Sequence, residues 1–121
     1  MLDDWRLSRM DNIHSVAYEL AAAAGESGEA AAYTVTPGRK FIVNNVTFVF
    51  PVGSGFSLRV WIQRGTEKII PKSGYIVGDG HRIPVLANIE FEGGSTIVVG
   101  YNNTDSTESH KALIILEGVL K

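Results

Sequence analysis

The sequence predicts an all-β protein, an antiparallel β-sandwich or jelly roll of about eight strands with one α-helix at its N-terminal end. Three observations predict it. Before Gly25 the apolar residues recur at spacings of three and four. From Ala31 onward they alternate every second residue, and Gly, Pro and Asn-rich turns cut the alternating stretches at short intervals with no helical stretch between them. The expected organisation is an amphipathic helix over residues 3–24, a hinge over 25–30 and a sandwich over 31–121. A chain of 121 residues can bury a core without staples, and with no cysteine it must do so by packing alone.

The helix rests on Met10, Ile13, Ala17, Leu20 and Ala24, with Leu7 extending the stripe backward. Asp3 and Asp4 suit the positive end of a helix dipole, the alanines at 21–24 have high helix propensity, and Gly25 supplies a stop. Such a stripe is buried either against the chain's own β-domain or against other copies of the chain. Two heptads are a weak coiled coil, so the second option also needs contacts made by the β-domain. Residues 25–29, Gly-Glu-Ser-Gly-Glu, are small and polar, as a hinge requires.

Strands are expected at 31–36, 40–50, 57–64, 67–70, 87–92, 96–102 and 109–120, with short edge pieces at 75–77 and 82–86. In 40–50, Phe41 and Val43 lie on one parity and Val46, Phe48 and Phe50 on the other, so a bulge at Asn44-Asn45 is needed to face them all inward. The last strand is apolar on both parities, with Ala112, Ile114, Leu116 and Leu120 on one and Leu113, Ile115 and Val119 on the other. Both of its faces therefore need covering, by the helix or by a second subunit.

Composition removes several function classes. The net charge is −2 and the basic residues are scattered, so the dense positive stripe that phosphate neutralisation requires is missing and nucleic acid is not an expected partner. Asp3 and Asp4 stand where a signal peptide would carry positive charge, and the alanine run is too short for a membrane span, so synthesis in the cytosol is expected.

No constellation of catalytic residues stands out, and neither cofactor nor metal is expected. His14, His81 and His110 are isolated; Asp79, His81 and His110 could converge on a metal, but their spacing carries no ligand signature, and the close histidine pair of a cupin is missing. Neither a nucleophile elbow nor a phosphate-binding loop occurs. Among the aromatic residues, Trp61 sits on the polar parity of its strand between Arg59 and Gln63. With Tyr75 it is the candidate ligand-binding pair.

Several segments together resemble a known group. They are the opening Leu2-Asp3-Asp4-Trp5-Arg6-Leu7-Ser8-Arg9-Met10-Asp11, the strand start Tyr33-Thr34-Val35-Thr36-Pro37-Gly38-Arg39-Lys40, the late Phe91-Glu92-Gly93-Gly94-Ser95-Thr96-Ile97-Val98-Val99 and the closing Leu116-Glu117-Gly118-Val119-Leu120. Their arrangement is similar to that of small β-sandwich virion proteins of tailed bacteriophages, of the head-decoration or tail-accessory kind. Residues 71–86 have no counterpart in that pattern. The resemblance implies a non-enzymatic structural protein made in the host cytoplasm and mounted on the virion in symmetric copies, against a capsid or tail protein. The expectation is then a homo-oligomer, a trimer being favoured, built through Met10, Ile13, Ala17 and Leu20 and one apolar sheet face. The alternatives are a carbohydrate- or ligand-binding module using Trp61 and Tyr75, and a metal-dependent enzyme of cupin-like shape.

Overall fold

The computed structural model describes residues 13–121, and eight strands organise them: β1 (Ile13–Ala22), β2 (Ser27–Thr34), β3 (Lys40–Phe50), β4 (Leu58–Arg64), β5 (Glu67–Ile70), β6 (His81–Glu92), β7 (Thr96–Asn103) and β8 (His110–Leu120). They form two four-stranded sheets, ordered β1-β8-β3-β6 and β2-β7-β4-β5. Every neighbouring pair is antiparallel. The first strand pairs with the last, the second with the seventh, the third with the sixth and the fourth with the fifth. The chain is thus one long antiparallel ribbon wound across two sheets, which is the jelly-roll arrangement.

The inner faces of the two sheets meet in a core led by Phe41, Phe48, Phe50 and Phe91, with Leu58, Ile62, Ile97, Ile114 and Leu116 packed among them. Each such side chain contributes roughly 1.5–3 kcal/mol when fully buried. The bulge expected at Asn44-Asn45 is present. Register shifts between Val43 and Asn45 in both pairings of β3, and the shift turns Phe41, Val43, Val46, Phe48 and Phe50 to the same inner face. Across from it the backbone comes so close that a Cβ on Gly118 would collide with the carbonyl oxygen of Ile42, so only glycine fits there.

The N-terminal helix is corrected. Residues 13–22 of the expected 3–24 span are strand β1, which pairs with β8 through ten consecutive residues; residues 3–12, Met10 among them, lie outside the described residues. The physical reason is a second period hidden in the same letters. Val16, Tyr18, Leu20 and Ala22 alternate as well as the three-four stripe does, and pairing with β8 covers a strand whose edge would otherwise stay open. The hinge reading at 25–30 gives way too: Gly25, at φ +71°, closes a tight turn, and β2 begins at Ser27. The sandwich therefore already includes Ile13, well before residue 31.

The strands expected at 40–50 and 67–70 are found within the same bounds, and those at 57–64, 96–102 and 109–120 differ by one residue at an end. The pieces expected at 82–86 and 87–92 are a single strand, β6, which runs through Pro84. A proline is tolerated because β6 is an edge strand with no partner beyond it. Of the piece at 75–77, only Ile76 pairs, in an isolated bridge to Val60.

Candidate functional site

The outer faces of the two sheets differ in character, and the difference is written in the register. On the β1-β8-β3-β6 sheet, Ile13, Val119 and Ile42 stand in one row; Ala17, Ile115, Thr47 and Pro84 form another; Leu113 and Val49 continue a third. This outer face is apolar along its centre, and charged residues end two of its rows: Glu90 beside Ile42, and Glu19 and Arg82 beside Leu113 and Val49. Leu86 is 88% exposed and Ile13 68% exposed, while Leu113, Ile115 and Val119 are half-buried only by their neighbours in the sheet. Polar groups also lie within it: Asn45 Nδ2 donates to Glu117 Oε1 at 3.2 Å and to Thr47 Oγ1 at 3.1 Å. Scattered apolar residues on a surface need no explanation, whereas apolar residues adjoining across neighbouring strands mark a surface that water does not favour.

The β2-β7-β4-β5 sheet presents a polar outer face organised around Trp61. Its indole lies against Gly100 on the neighbouring strand, and Nε1 donates to Gln63 Oε1 at 2.6 Å. Gln63 Nε2 in turn donates to Glu29 Oε1 at 3.1 Å and to the Gly65 carbonyl at 3.1 Å, so a hydrogen-bonded chain crosses from β4 to β2. The Lys68 ammonium sits 4.5 Å from the Trp61 ring centroid and donates to the Gly74 carbonyl. Tyr75 is matched in the same way, with the Arg59 guanidinium 4.4 Å from its ring centroid. Each ring already faces a cation from its own chain.

At the end of the sandwich that holds the β3–β4, β5–β6 and β7–β8 loops, polar groups are committed to holding those loops. Gly53 N–H donates to Asp79 Oδ1 at 2.7 Å, Ser54 Oγ donates to the Gly78 carbonyl, and Asp79 N–H donates to His81 Nδ1. Asp105 Oδ1 accepts from the Thr107 N–H and hydroxyl and from Glu108 N–H, while Oδ2 lies 2.9 Å from His110 Nε2. The Thr107 backbone N–H first, then the His110 ring and the Thr107 hydroxyl, hold the Asp105 carboxyl well below the usual carboxylate range. Asp79, His81 and His110 each serve a separate contact, and among the described residues no cluster of three or more His, Asp or Glu could hold a metal ion. Two open clefts flank the sheets. One of about 640 Å³ is lined by Arg64, Glu67, Lys72, Glu90 and Glu92, and one of about 390 Å³ lies beside His110, Ser54 and Lys111.

The residues singled out from sequence are distributed unevenly. Ile13 and Ala17 share the apolar outer face, but Leu20, 2% exposed, points into the core. A helical stripe joining them would have to pass through the sheet. Trp61 and Tyr75 each face a different cation, Lys68 and Arg59. The contributions of Ile42, Val49 and Leu86 to the apolar face are new; the double apolarity of β8 was the signal that pointed to them.

No protein-family model matches the sequence, and no curated protein matches it. Solved structures of viral particles share the fold. A chain of the cyanophage Pam1 capsid asymmetric unit superposes with a TM-score of 0.52 at 13% identity, over 89% of this chain and 84% of that one. A chain of the Helicobacter pylori bacteriophage KHP30 capsid does so with a TM-score of 0.50 at 13% identity, over 88% and 92%. A chain of Sulfolobus Turreted Icosahedral Virus gives 0.59 at 14% identity, over 91% of this chain; this chain spans only 29% of that one. The chain resembles virion β-sandwich proteins, and at these identities the likeness is one of fold.

Proposed function

We propose that this chain is a non-enzymatic structural component of a virus particle, assembling in symmetric copies through the apolar outer face of the β1-β8-β3-β6 sheet. The observation that carries the reading is that face: Ile13, Val119 and Ile42 adjoin across three strands and Ala17, Ile115, Thr47 and Pro84 across four, and Leu86 and Ile13 stand largely in solvent. The viral jelly rolls of similar fold support the particle context. On this reading the protein is synthesised in the host cytoplasm and then mounted on the virion against a capsid or tail protein. A trimer is the favoured oligomer, and Ile13 and Ala17 are contact residues, joined by Leu113 and Ile115. Light scattering tests it. The protein should have a mass several times 13.1 kDa, and Ile115→Asp, folded by circular dichroism, should lower that mass; a monomeric parent protein overturns the reading.

The ligand-binding alternative rests on Trp61 and Tyr75, and it requires Lys68 and Arg59 to leave the rings they face. Quenching of Trp61 fluorescence by a glycan would favour it, and silence across a broad glycan panel would remove it.

A further inference from the structure

The two sheets have four edge strands, β1 and β6 on one and β2 and β5 on the other. An edge strand offers unpaired N–H and C=O groups to any other strand, and folded proteins blunt such edges with prolines, charges, bulges or shortness. Three of the four edges here carry one of these devices. Strand β6 contains Pro84, and Arg64 Nη1 donates to its Glu90 carbonyl at 3.1 Å. Strand β2 has a register shift between Ala31 and Tyr33. Strand β5 is 4 residues long and includes Glu67 and Lys68.

Strand β1 has none of them. It pairs with β8 without a bulge from Ile13 to Ala22, and among the described residues the backbone of 13–21 makes no hydrogen bond outside that ladder. It contains no proline, and its single charged residue, Glu19, is matched by Lys111 on β8. The outward side chains beside the open edge are otherwise small or apolar: Ile13, Ser15, Ala17 and Ala21. A long, regular, nearly uncharged edge is a template for pairing.

From this contrast we infer that β1 pairs with β1 of a second copy, antiparallel about a two-fold axis at Ala17, joining two four-stranded sheets into one continuous sheet. The centre at Ala17 is chosen by what it opposes. Ala17 meets its own equivalent, Ser15 meets Glu19, and the exposed Ile13 meets Ala21, so no like charges face each other across the pair. A centre at Glu19 would oppose two carboxylates. The pairing also merges two apolar outer faces into a single surface of twice the width, and a two-fold contact of this kind is isologous, using the same residues on both copies. The inference rests on the assembly reading above and adds a two-fold contact, which joins one trimer to another where the copies are trimeric.

The chain has no cysteine, so single-cysteine variants of the full chain report the contact directly. Ala17→Cys, Ser15→Cys and Asn88→Cys, the last on the blunted edge of β6, are treated with a short bis-maleimide. Ala17→Cys should form covalent dimers at least about tenfold faster than Asn88→Cys, because paired strands hold the two thiols one strand spacing apart, while Ser15→Cys, whose opposite residue is Glu19, should lag behind it. Equal rates for the three variants in a protein that still assembles overturn the edge pairing alone. A monomeric mass for the parent protein overturns the edge pairing and the assembly reading together.

Discussion

Trp61 lies directly on Gly100, so that a methyl group at Gly100 would occupy the position of the indole nitrogen and meet the Gln63 side-chain oxygen as well. The glycine is what allows a large ring to lie flat on the sheet while its N–H reaches Gln63. Gly100→Ala should therefore displace the indole, break the Trp61–Gln63–Glu29 chain and destabilise the fold by about 1–3 kcal/mol, as overpacking does. Urea unfolding measures the loss, and a blue or red shift of Trp61 emission would accompany it. An unchanged midpoint would mean that the ring moves without cost.

The pairing of Asp105 with His110 and with the N–H groups of Thr107 and Glu108 makes the β7–β8 loop sensitive to acid. The folded carboxyl titrates below its unfolded value of 3.8. A depressed folded pKa contributes stability at pH values above 3.8, and that contribution is lost as pH falls through and below that value. Asp105→Asn keeps an oxygen for the loop N–H groups but has no charge to lose. Its stability should fall less steeply than that of the parent protein on the acid side, a difference read from thermal melts at a series of pH values. Parallel acid limbs would show that other carboxylates govern the decline.

The Asn44-Asn45 bulge decides which side chains of β3 reach the core. Deleting Asn44 moves Val46, Phe48 and Phe50 onto the parity of Phe41 and Val43, so that simple alternation without the bulge would turn all five to the inner face. The five side chains that are now almost fully buried would thus stay on the core side. We expect the deletion variant to stay folded, with near-ultraviolet dichroism retained; a lost spectrum would mean that the bulge does more than set which side chains of β3 face inward.

Much of the fold could be read from local chemistry. The bulge in β3, the bounds of β5 and the double apolarity of β8 all follow from period-two patterns broken by turn residues. What escaped was decided at long range. Ile13, Ala17 and Leu20 fit a helical stripe, while Val16, Tyr18, Leu20 and Ala22 fit a strand, and the choice between the two depends on β8, roughly one hundred residues away in sequence. Pro84 reads locally as a strand end, yet β6 runs through it because an edge strand has no partner to miss the N–H. The apolar outer face was legible as a surplus in β8, but its other members, Ile42 and Leu86, belong to it only through register.

Placing Ile13 and Leu20 on opposite faces of β1 gives the sharpest contrast between assembly and stability. Leu20 is 2% exposed and Ile13 68% exposed, although they lie in one strand of 10 residues. A carboxylate at position 20 would be buried without a partner and would leave a cavity where the leucine stood, a combined cost comparable with the roughly 5–15 kcal/mol that holds a domain folded. At position 13 the same carboxylate stays in water, so its effect on folding should remain within about 0.5 kcal/mol. Leu20→Asp should accordingly fail to fold, whereas Ile13→Asp should melt as the parent protein does and differ only in mass. Circular dichroism and light scattering on the pair separate the two effects, and a folded Leu20→Asp variant would mean that β1 does not pack as a strand against the core.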